Sequence, residues 1–224
     1  MDASPPSRAK AGTEPRKETM ANRAASALRA EILSGALAPG AKVNLDRLRE
    51  RQGLSLAPVR EAVTRLASEG LVEAEDQRGY RVAPVSAEDL AEITLLRAEF
   101  DALALALSID RGDLDWESGV LAALHRLTRS APADRAAAQS AFHAALIAGA
   151  GAPRLIAQCT RLYDLSARYA ALFGAPDDDP DTAQAIAAAA VARNADDARR
   201  LIADHARRTG AALAARLARA MDTD

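Results

Sequence analysis

Arginine is the residue whose placement in this chain most directly suggests chemistry. Guanidinium groups pair with phosphate oxygens and with the edge of guanine, so a cluster of them suits a nucleic acid. Such a cluster occupies the first third of the chain and comprises Arg47, Arg49, Arg51, Arg60, Arg65 and Arg78. The same side chains could equally keep exposed helices in solution, and the elements that carry them have to decide between these two interpretations.

The elements predicted around these arginines follow the order of a winged helix-turn-helix. Apolar spacing predicts helices over 20–33 and 45–52, a third helix that ends at Gly70, and β-prone segments at 71–73 and 80–83. Ser55 is a natural N-cap for the third helix, which places Arg60 and Arg65 where a recognition helix enters the major groove. Arg78 and Gly79 fall at the tip of a two-stranded wing, within reach of a minor groove or a phosphate. This order favours DNA binding over a solubilising role.

Composition and charge support a helical protein in two parts. Of the 224 residues 49% are hydrophobic but only 3% are aromatic, and alanine, the best helix former, dominates. Residues 1–85 carry 14 Lys and Arg against 11 Asp and Glu, while the remainder carries 15 against 20. The single cysteine, Cys159, excludes a disulfide framework and thiolate metal clusters, and we expect it to be a small buried apolar residue. Apolar runs are short and no secretory signal is present, so we expect a cytoplasmic protein without membrane contact.

The predicted fold is mainly α, with an N-terminal winged helix-turn-helix and a C-terminal bundle of six or seven helices. The bundle helices are predicted near 87–110, 115–129, 133–149, 153–173, 181–194 and 196–219. The expected domains are a flexible arm at 1–19, a DNA-binding domain at 20–85, a helical domain at 86–219 and a tail at 220–224. The interior of such a bundle is a common place for a ligand.

The first part of the chain resembles the DNA-binding domain of the GntR family of bacterial transcription regulators. The resemblance covers about residues 20–86 and rests on EILSGALAPGAKVN, followed by LRERQGLSLAPVREAVTRLASEGLVEAEDQRGYRVAPVS. It implies that Arg60 contacts DNA from the recognition helix and that Arg78 and Gly79 approach the minor groove. Leu56 and Ala57 replace the Arg-Thr pair common in this family, and Asp46 replaces an arginine. We therefore expect a base preference that differs from the usual one.

The helical part resembles FCD, the all-helical effector domain of the FadR-type subgroup. The resemblance rests on DLAEITLLRAEFDALALALS, FHAALIAGAGAPRLI and AIAAAAVARNADDARRLIADH. It implies that Arg97 reaches a cavity and meets an organic acid, whereas the alternative is an intrahelical pair with Asp101, one turn away. Arg161, Tyr163 and Arg168 share one helix, and the sequence does not decide which of them faces the cavity.

Many relatives in this subgroup bind a divalent metal through one acidic or amide residue and three histidines. Matching by motif assigns His143 and His205 to two histidine positions, Gln139 to the acidic position and Ala183 to the third histidine position. Two imidazoles and an amide make a poor site for zinc, nickel or manganese. A divalent metal at His143 and His205 is therefore possible but disfavoured. We expect Arg97, Gln139, His143 and His205 to bind a small carboxylate directly, and His125 to lie at the surface.

The leading functional interpretation is a ligand-responsive transcription regulator and not an enzyme. We expect a homodimer that pairs through the helical domain, binds a palindromic double-stranded operator and represses a catabolic operon until a small organic acid binds. Two alternatives remain from the sequence. One is a non-specific DNA-organising protein, and the other is a metal-dependent enzyme that uses His143 and His205.

Overall fold

The computed structural model describes residues 19–75, 78–175 and 180–222. The predicted flexible arm, apart from Thr19, and the last two residues of the predicted tail lie outside the described residues. Within them the DNA-binding part contains α1 Met20–Leu33, β1 Lys42–Val43, α2 Leu45–Gln52, α3 Leu56–Ser68, β2 Val72–Glu75 and β3 Gly79–Val82. The three predicted helices therefore form almost where the sequence places them.

Local signals at the helix ends explain this agreement. The Asn44 side chain accepts a hydrogen bond from the backbone N–H of Arg47 at 2.9 Å and so caps α2. Gly53 ends α2 in the left-handed region at φ +62°, a conformation that glycine adopts without strain and that turns the chain towards α3. Ser55 occupies the N-cap position of α3, but its side chain makes no capping bond, unlike the predicted cap.

The wing contains one strand more than the sequence predicts. The strands pair antiparallel in the order β1-β3-β2, with Glu75 opposite Gly79 and Lys42 opposite Arg81. The sequence indicates a turn where β1 forms. A segment of two residues becomes a strand only because β3 supplies its hydrogen-bond partners, so no local pattern could have indicated it.

The helical part is a bundle built on one long central helix. Its described helices are α4 Ala87–Arg111, α5 Leu114–Arg129, α6 Arg135–Ile147, α7 Pro153–Phe173, α8 Pro180–Val191 and α9 Ala195–Met221. The helix predicted over 133–149 is shorter than expected, because short 3₁₀ turns, Pro132–Asp134 and Ala148–Ala150, flank α6. No helix among the described residues is long and apolar enough to span a bilayer.

Small residues let the central helix pack closely against its neighbours. Helix α4 makes its most extensive contacts with α9 and the next most extensive with α7. Ala98 and Ala206 are buried in the core of the bundle, and Gly210 of α9 lies against the side chain of Thr94 of α4. Alanine and glycine at such crossings let backbones approach, which explains how a chain poor in aromatic residues fills its core.

Candidate functional site

A cavity of about 450 Å³ lies inside the helical bundle. Its wall combines apolar side chains with a few polar ones, as is usual for a small-molecule site. The structure brings together in this wall all four residues that the sequence proposes for ligand binding, Arg97, Gln139, His143 and His205. Ala183, at the position of the third family histidine, also lines the cavity.

An arginine and a histidine of the wall converge on one buried carboxylate. Asp101 is fully buried, and its Oδ2 lies 3.5 Å from Nη2 of Arg97 on the preceding turn of α4. Its Oδ1 lies 3.0 Å from Nε2 of His143 on α6. These are ion-pair distances without hydrogen-bond alignment, because neither carboxylate oxygen has an aligned donor among the described residues. The two alternatives for Arg97 therefore coexist, since it pairs with Asp101 and also lines the cavity.

This arrangement keeps the carboxylate ionised. Burial alone raises the pKa of Asp101, because it penalises the charged form, but the adjacent His143 and the charge of Arg97 outweigh that effect. The net result is a pKa below the ordinary range of an aspartate. A fixed negative charge therefore lies buried beside the arginine of the cavity wall.

Helix α7 supplies Tyr163, whose side the sequence had left undecided, and Ser166, which sequence reasoning missed. The Tyr163 ring stacks on His143 with centroids 4.4 Å apart, and the Arg97 guanidinium lies 4.9 Å from the centre of the same ring. Ser166, which is buried, accepts a 3.0 Å hydrogen bond from Nη1 of Arg97. The helical period of α7 was readable from the sequence, but which face turns inward depends on neighbouring helices.

The donors in the cavity do not fit the metal site of the related domains. Among the described residues, no group of three or more His, Cys, Asp and Glu side chains is arranged to hold a metal ion. Nε2 of His143 lies against Asp101, its ring is stacked on Tyr163, and Ala183 offers no donor atom.

The arginines of the DNA-binding part divide into two groups. Arg47, Arg60 and Arg78 are exposed, and none of their side chains pairs with a described residue. Arg60 lies on the first turns of α3, and Arg78 lies directly before Gly79, whose φ is +99°. The Ser55 hydroxyl at the start of α3 makes no capping bond. These groups are available to a nucleic-acid backbone or a base edge.

The other three arginines of the predicted cluster have partners within the chain, and one of them, Arg51, pairs with Glu31 of α1. Arg65 donates to Asn22 Oδ1 at 2.6 Å and to Glu61 Oε1 at 3.1 Å, so it ties α3 to α1. Arg49 lies 3.9 Å from carboxylate oxygens of both Asp46 and Glu50, which makes its pairing weak and exposed.

Helix α7 also carries the side chains that join the two parts of the molecule. Arg161 Nε donates to the Glu69 carbonyl at 2.9 Å, and Arg168 donates to the Ala83 carbonyl. The hydroxyl of Tyr169 accepts from the backbone N–H of Ser86 at 3.1 Å, and it lies 2.6 Å from Asp89 Oδ2. Arg161 and Arg168 therefore lie at the domain junction and do not line the cavity, which the sequence had left undecided.

Two family models match this chain. The model described as bacterial regulatory proteins, gntR family, matches residues 20–82, and the model of the FCD domain matches residues 92–208. The two matches together span the winged helix-turn-helix and most of the helical bundle.

Individual relatives agree with both matches. The chain is 34% identical over 194 residues to the HTH-type transcriptional repressor GlaR of Escherichia coli, covering 80% of this chain and 88% of that protein. Among solved structures, E. coli McbR/YncC aligns over 87% of this chain and 97% of its own, with TM-score 0.74 and 22% identity. A putative GntR regulator from a Rhodococcus species aligns over 86% and 96%, with TM-score 0.70 and 23% identity. The chain thus belongs to the GntR family of bacterial transcription regulators, and its helical domain is an FCD domain.

Proposed function

We propose that this regulator is a homodimeric repressor whose grip on a palindromic operator is released when a small carboxylate binds in the helical cavity. Membership of the GntR family supports DNA binding, and the FCD domain supports a small-molecule effector. The observation that carries the proposal is Arg97, a buried guanidinium in the wall of an otherwise largely apolar cavity.

The recognition surface consists of the exposed polar groups of α2, α3 and the wing. Arg60 enters the major groove from α3, and Ser55 donates to a phosphate beside it. Arg47 reaches a neighbouring phosphate, and Arg78 with Gly79 approaches the minor groove at the wing tip. Arg49 and Arg65 make a smaller contribution to binding the DNA backbone, because both already have partners within the protein.

The effector is recognised by Arg97 together with the amide and imidazole groups opposite it. Arg97 shares its charge with Asp101, and its Nε has no hydrogen-bond partner among the described residues. A ligand carboxylate accepts from the guanidinium, while Gln139, His143 and His205 orient it. The apolar wall then selects the remainder of the acid by size.

Pairing of two chains is supported by apolar side chains on the outer face of the bundle. Leu95 and Leu103 lie two turns apart on α4 and are 61% and 47% exposed, and Leu121 of α5 is 48% exposed. Burying these faces in a symmetric dimer places two recognition helices on one duplex.

The DNA-binding half of this proposal is tested by Arg60→Ala, with the DNA upstream of the regulator's own coding region as the probe. We expect operator affinity to fall by about 1–3 kcal/mol while the thermal midpoint is unchanged. The matched control is Arg199→Ala, because Arg199 is an exposed arginine of α9. Unaltered operator affinity in Arg60→Ala would contradict the assignment of Arg60 to the DNA-binding surface. If added salt lowers the affinity for operator and for unrelated DNA to the same extent, the result would favour a non-specific DNA-organising protein.

The effector-binding half of this proposal is tested with sodium acetate, lactate, succinate and benzoate, each in turn. We expect at least one of these acids to raise the thermal midpoint and to weaken operator binding, and Arg97→Ala to abolish both effects. Arg199→Ala again serves as the control for a lost positive charge. An acid that still releases the operator from Arg97→Ala would contradict the proposed site.

A further inference from the structure

The two sides of helix α7 contact different parts of the molecule. One side lines the cavity, and the other contacts the DNA-binding domain. Tyr163, Ser166, Ala167 and Ala170 line the effector cavity. Their spacing of three, one and three residues places them on one side of the helix. Helix α7 is therefore one wall of the cavity along two of its turns.

The opposite face of α7 holds the DNA-binding domain. The carbonyl that Arg161 contacts belongs to Glu69, the residue that ends the recognition helix α3. The carbonyl that Arg168 contacts belongs to Ala83, the first residue after the wing strand β3. Leu165, between these arginines, packs against the core of the DNA-binding domain. One helix thus fixes both DNA-reading elements.

A single hydrogen bond ties the cavity face of α7 to the effector-binding arginine. Arg97 Nη1 donates to Ser166 at 3.0 Å, and the guanidinium also lies over the Tyr163 ring. Nε of Arg97 has no partner among the described residues, and Nη2 meets only the unaligned Asp101. A carboxylate that binds this guanidinium in bidentate fashion accepts from two parallel N–H groups. Nη1, which donates to Ser166, is one of the nitrogens that the carboxylate can reach.

An electrostatic link runs across α7 in the same place. The pKa of Asp164 is raised, first because of burial, and the charges that act on it come from both sides of the helix. Arg29 and Glu69 of the DNA-binding domain act from one side, and His143 of the cavity acts from the other.

We propose that α7 transmits the occupancy of the cavity to the DNA-binding domain. Loss of the Arg97–Ser166 hydrogen bond starts the change, and loss of the Arg161 and Arg168 contacts follows from it. This inference rests on the proposed effector function and adds the route of its regulation. When an acid takes Arg97 from Ser166, α7 shifts on the bundle. Arg161 and Arg168 then leave the Glu69 and Ala83 carbonyls, which frees the recognition helix and the wing. Both ligand and operator bias one two-state element, as allostery requires.

The test is a double-mutant cycle on the full chain without ligand, using Ser166→Ala and Arg161→Ala. Ser166 lines the cavity and Arg161 contacts the other domain, so the two side chains are on different faces of α7. Amide hydrogen exchange is read by mass spectrometry in peptides spanning 66–75 and 79–86. Matched controls are Thr160→Ala, whose hydroxyl bonds only its own helix, and Arg154→Ala, an exposed arginine of α7.

We expect Ser166→Ala to speed exchange in both peptides at least fivefold, and to add less than twofold when Arg161→Ala is already present. The controls should change neither peptide. Equal acceleration by Ser166→Ala in the two backgrounds, or acceleration confined to α4 and α9, would overturn the inference. If either alanine variant fails to fold, Ser166→Cys, a weaker acceptor of similar size, and Arg161→Met, which keeps an apolar stem without a donor, replace it with the same expectation of non-additivity.

A second measurement separates this inference from the proposed function. Binding of acetate, lactate, succinate and benzoate to Arg161→Ala is followed by thermal shift, and operator release by the same acids is followed in parallel. We expect Arg161→Ala to bind whichever acid the wild-type chain binds, to bind the operator more weakly without acid, and to show little further release when the acid is added. Release retained in Arg161→Ala overturns the coupling route alone, whereas no binding of any acid to the wild-type chain overturns the carboxylate assignment, and the exchange cycle still decides the route.

Discussion

At the scale of single residues, the notable feature is how few charges are buried and how they are compensated. Arg97 is 5% exposed and Asp101 is not exposed at all, so each would be costly alone in the core of the bundle. Their pairing, with His143 as a third member, neutralises the charges without complete hydrogen bonding. A buried pair of this kind adds little stability relative to apolar residues in its place, but removing one partner is costly, and its incomplete hydrogen bonding leaves capacity for a ligand.

Replacing Asp101 with asparagine tests this compensation. Asp101→Asn keeps the shape but leaves the guanidinium of Arg97 buried without a counter-ion, so we expect the free energy of unfolding to fall by about 3–5 kcal/mol. Urea unfolding followed by the fluorescence of Trp116 in α5 measures it. Asp110→Asn, at an exposed position of the same helix, is the control and should change stability by less than about 0.5 kcal/mol. A loss below about 1 kcal/mol in Asp101→Asn would contradict the pairing.

The pH dependence of stability follows from the same carboxylate. Because the folded pKa of Asp101 is lowered, the unfolded chain binds more protons at this group in acid. Its contribution is fully present above the unfolded value of about 3.9 and is lost as the pH falls through the lower folded pKa. We expect the difference in unfolding free energy between wild type and Asp101→Asn to shrink steadily below about pH 4. A difference that stays constant down to pH 2 would contradict this.

At the scale of elements, the crossing of α4 and α9 depends on the absence of a side chain. A Cβ at Gly210 would lie 2.2 Å from Thr94 Oγ1 and 2.4 Å from its Cγ2, which is too close for any real contact. The two helices can therefore pack at this distance only with glycine at that position. The element is selected by its partner as much as by its own propensity.

Substituting this glycine should separate propensity from packing. Alanine is favoured in a helix interior, yet we expect Gly210→Ala to destabilise the protein by about 1–3 kcal/mol, because α9 must move away from α4. In the double variant with Thr94→Ala part of the loss should return. Gly119→Ala in α5 is the matched control, since its Cβ would meet open space, and it should raise stability by up to about 1 kcal/mol. Equal effects of the two glycine substitutions would show that the crossing is looser than described.

At the scale of the whole molecule, two domains with separate cores meet through one helix. The core of the DNA-binding domain includes Leu28, Val63 and Val82, whereas the bundle has its own core around Leu105 and Ile147. Leu165 of α7 packs against the first of these cores and also against a smaller cluster around Tyr169. The domains therefore share apolar burial in addition to the polar contacts of the junction.

Shortening Leu165 should weaken both domains. We expect Leu165→Ala to cost about 1–3 kcal/mol, less than for a fully buried leucine because this side chain is half-buried. Hydrogen exchange across 59–66, in α3 of the other domain, should accelerate together with that of α7. Leu124→Ala is the control, since Leu124 is half-buried against the bundle core alone, and it should leave α3 unchanged. An effect of Leu165→Ala confined to the bundle would indicate that the domains are energetically independent.

Much of the fold was predictable because its signals are local. Helix α2 begins at an asparagine cap and ends at a left-handed glycine, and each of these is a property of a few consecutive residues. The same holds for the bounds of α1 and α7, whose predicted ranges match the observed ones. The motif around Arg60 carried the family, which the comparisons confirm.

What only the tertiary structure decided depends on residues far apart in the chain. Strand β1 exists because β3 pairs with it, and Arg65 is engaged because α1 presents Asn22. The inward face of α7, and with it Tyr163 and Ser166, follows from the packing of α4 and α9 around the cavity. A sequence determines its own helical period, but it does not show which side of a helix faces a partner. That side is chosen by the total burial of all the elements together.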